Sequence, residues 1–67
     1  MTNTAKLNEI MRASGLDRAF IAHMLGISSS SFENRANGHS EFKSADISIM
    51  RDLLNLSNDQ IMDIFFS

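Results

Sequence analysis

The sequence predicts an all-α fold: a compact bundle of five short helices in one domain spanning residues 1–67. Three observations predict it. Apolar residues recur at i, i+3 and i+4 in successive segments, the spacing that gathers them on one face of a helix. Small polar residues suited to capping precede these segments, and glycine or asparagine follows most of them. No segment carries the β-branched alternation of a strand, and there is no internal repeat.

Each element has its own signal. Asn3 or Thr4 offers the N-cap of the first helix, in which Leu7, Ile10 and Met11 share a face. Gly15 ends it, because glycine accepts the left-handed backbone that other residues resist. Asp17 is placed to cap the second helix, with Ile21, Ala22 and Leu25 as its inner stripe. Gly26 stops that helix after about two turns, and Ile27 pins the turn to the core. Ser28 or Ser29 caps the third, whose Phe32 and Ala36 face inward and which Asn37-Gly38 closes. Residues 38–44 read as a polar loop. Ser44 begins the fourth helix, where Ile47, Met50, Leu53 and Leu54 are spaced for burial. Ser57-Asn58-Asp59-Gln60 marks the fifth as a capping box, in which serine and glutamine each satisfy a backbone N–H of the other. Ile61, Ile64 and Phe65 line one side of it, Met62 and Phe66 another.

Composition narrows the function classes. At 67 residues and 43% apolar, the chain can build a small core, and with no cysteine it has no disulfide to staple it. The lack of cysteine fits a reducing compartment. The first ten residues are polar and no apolar run approaches the ~18 residues of a membrane span, so a cytoplasmic protein without a membrane partner is expected. His23 and His39 lie far apart in the chain with no cysteine beside them, which argues against a metal site. There is no glycine-rich phosphate loop, no nucleophile elbow and little volume to enclose a substrate. Asp59 and Asp63, at i and i+4, read as a solvated helical face. No enzymatic activity, cofactor or small-molecule substrate is expected.

Charge is unevenly spread. The net charge is −2 and the isoelectric point about 5.4. Residues 1–38 set Lys6, Arg12, Arg18 and Arg35 against Glu9, Asp17 and Glu33, whereas residues 39–67 set only Lys43 and Arg51 against Glu41, Asp46, Asp52, Asp59 and Asp63. A DNA-binding domain usually carries a basic surplus that displaces counterions from phosphates. Either a nearly neutral face meets DNA while the acidic end points away, or the main partner is a basic protein.

Residues 16–38 read as two short helices hinged at Gly26, an arrangement able to present the second of them, N-terminus first, to a major groove. Leu16 precedes the pair, Ala22 sits at the tight crossing, and Leu25-Gly26-Ile27-Ser28 forms the turn. Phe32 and Asn37-Gly38 complete the stretch, and Leu54-Asn55-Leu56-Ser57 links into the fifth helix. In these residues the chain resembles the lambda-repressor-like helix-turn-helix family, which includes phage Cro and CI proteins and many small bacterial regulators. The resemblance covers the whole chain in helix count and spacing and is sharpest from Leu16 to Gly38, with the motif at about 17–37.

The resemblance implies that Ser29, Ser30, Glu33 and Asn34 face base edges. Asn34 suits adenine, the serines donate or accept with several bases, and Glu33 accepts from cytosine N4. It also implies phosphate contacts by Arg18, where the family often has glutamine, and by Asn37; such contacts set register and carry no sequence information. Several residues depart from the family's pattern. Arg35 replaces an apolar core residue, Arg51 replaces alanine, and Phe20 and Met24 are apolar where the family is polar.

Two functions follow from the resemblance. One is a small transcriptional regulator of a phage lytic/lysogenic switch in a bacterial host, binding operator double-stranded DNA as a homodimer through its apolar fifth helix. The other is an antirepressor that keeps the same shape but binds a phage repressor protein, as small modulators of repression in temperate phages of Gram-positive bacteria do. The acidic balance, Glu33 and the pair Phe20/Met24 motivate the second. Plainer readings stand beside both. One serine of residues 28–31 caps a helix and the others are solvated; Glu33 and Asn34 belong to an ordinary exposed face; Arg18 pairs with Asp17. Phe20 and Met24 either extend the core beneath the loop after Gly38 or, like Met62 and Phe66, form a partner surface.

Overall fold

Five helices joined by short turns make up the computed structural model, which describes all 67 residues. They are α1 (Thr4–Ser14), α2 (Arg18–Leu25), α3 (Ser29–Ala36), α4 (Ser44–Leu54) and α5 (Asn58–Phe65), with no strand. None is long and apolar enough to cross a membrane.

Local chemistry sets most boundaries. The Asn3 side chain, rather than Thr4, caps α1 by accepting from the Lys6 N–H at 3.2 Å. Ser28, rather than Ser29, caps α3 by accepting from the Ser31 N–H at 3.1 Å. At α5 both bonds of the expected capping box form, Ser57 N–H to Gln60 at 2.9 Å and Gln60 N–H to Ser57 at 3.1 Å. Asp17 takes the extended cap conformation at the start of α2, but its side chain makes no capping hydrogen bond. At α4 the cap position is Lys43, and Asp46 closes the turn by accepting the Lys43 N–H at 2.9 Å. Gly26 ends α2 in the left-handed region at φ 71°, where a β-carbon would be strained. Asn55 does the same for α4 at φ 53°, the one non-glycine residue with positive φ.

The core gathers one stripe from each helix: Leu7 and Met11, Ile21 and Ala22, Phe32 and Ala36, Met50, Ile64 and Phe65. Leu56 enters from the last turn, and Ile10, Leu16, Leu25, Ile27, Ile47, Leu53, Leu54 and Ile61 pack around the margin. α2 lies against α3 and α4, while α1 lies against α3, α4 and α5. The Asn3 N–H donates to the Ile64 carbonyl at 2.6 Å, so the beginning and end of the chain meet.

Two expectations need correction, and one ion pair adds to them. The loop after α3 is not simply polar. Phe42 is 8% exposed and meets Phe32 and Phe65 edge-on, at centroid distances of 6.1 and 5.6 Å. A single aromatic among polar neighbours leaves no periodic trace, so nothing local marks it as core. Next, Asp46 is 6% exposed and held by Arg35 at 2.6 Å, an ion pair that fastens α3 to the start of α4. That pairing explains how an arginine stands at the inner edge of α3. Finally, Phe20 and Met24 do not join the core. Each is 43% exposed, because Ile21, Ala22 and Leu25 already fill the face of α2 that meets its neighbours.

Candidate functional site

Helix periodicity divides α3 into two sides. Phe32 and Ala36, one turn apart, are fully buried and anchor the helix. On the outward side Ser29, Glu33 and Asn37 form one row and Ser30 and Asn34 a second beside it. Ser29, Ser30, Asn34 and Asn37 are exposed. The side chains of Ser29, Asn34 and Asn37 take part in no hydrogen bond within the chain, and Ser30 has only a long contact of 3.5 Å with the Ser28 hydroxyl. Apart from Glu33, the two rows together make a neutral, donor-and-acceptor strip about two turns long.

Glu33 interrupts that strip, and the structure gives it a partner. Arg18 at the start of α2 donates from Nε to Glu33 Oε2 at 2.9 Å and from Nη2 to Oε1 at 2.8 Å. Its Nη1 donates to Asn8 Oδ1 on α1 at 2.8 Å, and its guanidinium carbon sits 5.5 Å from the Phe32 ring centroid. One side chain therefore joins three helices. The partner of Arg18 is Glu33, not Asp17, and the phosphate role expected of Arg18 falls on a guanidinium already committed on two sides. Asn8 was invisible to sequence reasoning, since it lies outside the apolar stripe of α1 and no local motif includes it.

The fork–fork geometry has a titration consequence. Hydrogen bonding by Arg18, with its charge, holds the Glu33 carboxyl below its ordinary pKa despite some desolvation. A carboxyl whose pKa is lower folded than unfolded adds stability above the usual carboxylate range and loses it as pH falls through the folded value. The two side chains are 37% and 42% exposed, so solvent screening keeps the pair to about 1 kcal/mol or less. Thermal melts of wild type and Glu33→Gln should thus differ slightly at neutral pH and converge in acid. A gap that widens in acid contradicts this assignment.

Charge elsewhere is compensated in part. Lys6 lies 3.9 Å from Asp63 and Arg51 lies 3.2 Å from Asp52. Arg12 and Lys43 remain unpaired, and Arg12, with Asn8, Met11, Leu16, Asp17 and Arg18, lines a cleft of about 390 Å³ between α1 and α2. Met62 and Phe66, one turn apart on the outer side of α5, are 57% and 59% exposed. No group of three or more His, Cys, Asp or Glu side chains is placed to share a metal ion.

Comparison with protein-family models, with curated proteins and with solved structures finds no match to this chain.

Proposed function

We propose that this chain is a small helix-turn-helix transcriptional regulator of the phage Cro/CI kind, which binds operator double-stranded DNA by laying α3 in the major groove. One observation carries the reading. Ser30 and Asn34 stand exposed and uncommitted on the side of α3 opposite its buried anchors Phe32 and Ala36, with Ser29 and Asn37 exposed at its two ends. A helix built this way is rigid beneath and chemically free above, which is what direct readout of base edges requires. Pairing with Arg18 removes the objection that Glu33 sets a bare negative charge against phosphates.

The near-neutral face has its own consequence. With Asn37 and backbone amides as the main phosphate donors, few counterions are released, and affinity depends on two subunits engaging half-sites about one helical turn apart. Met62 and Phe66 on α5 offer the apolar surface for that homodimer. The setting is the cytoplasm of a bacterial host, in a lytic/lysogenic switch.

Fluorescence anisotropy with duplexes from the control region of its own gene tests the reading at low and moderate salt. Binding is expected at low salt, and Asn34→Ala is expected to weaken it about tenfold while leaving the thermal midpoint unchanged. No binding at low salt overturns the proposal.

A second reading, an antirepressor that binds a phage repressor protein, is favoured by Phe20 and Met24, which stand 43% exposed on α2. The exposed carboxylates Glu41 and Asp59, which pair with nothing in the chain, suit a basic partner. A complex with the cognate repressor, seen by size-exclusion chromatography without DNA, supports this alternative over the first.

A further inference from the structure

We propose that Arg18 and Glu33 form a preassembled reader of one C·G base pair, in which Glu33 accepts from the cytosine N4 amino group and Arg18 is the positioning residue that aims its carboxylate. The inference rests on the DNA-binding reading and names the base class which that site selects.

Acceptor capacity comes first. A carboxylate offers about four lone-pair sites, and Arg18 uses one on each oxygen, leaving a free site on both Oε1 and Oε2. The Glu33 side chain is 42% exposed and lies in the same outward row of α3 as Ser29 and Asn37. Orientation comes next. The guanidinium is gripped from the far side by Asn8 and lies over Phe32, so the fork has one arrangement and the carboxylate loses little freedom on binding. The pair is neutral as a unit, which lets an acceptor approach a polyanion.

Selectivity follows from the carboxylate having only acceptors. It is repelled by guanine N7 and O6 and by thymine O4. Adenine presents a donor at N6, but its neighbouring N7 is an acceptor, whereas no acceptor flanks cytosine N4 on that edge of the base. Cytosine is the one base with nothing to repel the group.

Selection from a pool of randomised duplex DNA at low salt, using the full chain, tests this. Wild type is expected to favour cytosine about tenfold over guanine or thymine at one position of each half-site. Glu33→Gln is expected to move that position alone to adenine, since an amide both accepts and donates. Arg18→Lys keeps the charge, loses the fork, and is expected to flatten preference at the same position while circular dichroism shows it folded. Identical base preferences for the three proteins overturn the inference and leave DNA binding standing. No enrichment by any of them overturns both.

Discussion

Phe42→Ala is expected to destabilise the protein by about 3 kcal/mol or more, as for other buried aromatic truncations. A chain of this size has roughly 3–10 kcal/mol in total, so the substitution removes about a third or more of its stability. Phe42 lies in the connection between α3 and α4, yet it is buried and touches Phe32 of α3 and Phe65 of α5 with its ring edges. Removing it opens a void against two fully or nearly buried rings and releases the connection that ends in the α4 cap. Phe42→Leu keeps most of the apolar volume and should cost distinctly less. Urea denaturation followed by circular dichroism measures both. An alanine variant as stable as wild type means that the connection contributes nothing to the core.

Arg35→Ala is expected to cost about 3 kcal/mol for a different reason. Asp46 is 6% exposed, and its Oδ2 accepts from Arg35 at 2.6 Å and from the Lys43 N–H at 2.9 Å. Without the guanidinium, a carboxylate remains inside with only one backbone donor, which low-dielectric surroundings penalise. The double variant Arg35→Leu/Asp46→Asn should recover most of the loss, because an amide oxygen can still accept the Lys43 N–H and leucine fills the inner edge of α3. A single Arg35→Ala cost below about 0.5 kcal/mol, typical of surface changes, excludes the buried-pair account. Because the pair ties α3 to α4, the single variant should also weaken any interaction made by the outer face of α3.

The two variants illustrate what the sequence hides. The helices were legible: Asn3, Ser28 and the Ser57/Gln60 box do the capping expected of them or of their immediate neighbours, and Gly15 and Gly26 take left-handed turns at two of the helix ends. The inner stripes were legible too, from Leu7 and Met11 through Ile64 and Phe65. Along α3, spacing separated buried Phe32 and Ala36 from exposed Ser29, Ser30 and Asn34. Phe42 was not legible, since one ring in a polar stretch fits a loop as well as a core. Neither was the destination of Arg18, for which Asp17 is adjacent in sequence and Glu33 is a helix away.

Sequence alone determined where most helices start and stop and which side each buries, because capping bonds and i to i+4 contacts join residues within one or two turns of each other. Tertiary structure alone decided which polar groups meet: Arg18 with Glu33 and Asn8, fifteen and ten residues away, and Arg35 with Asp46, eleven away. A guanidinium accepts any carboxylate or amide oxygen within reach, and reach across a bundle is set by helix packing rather than by position along the chain.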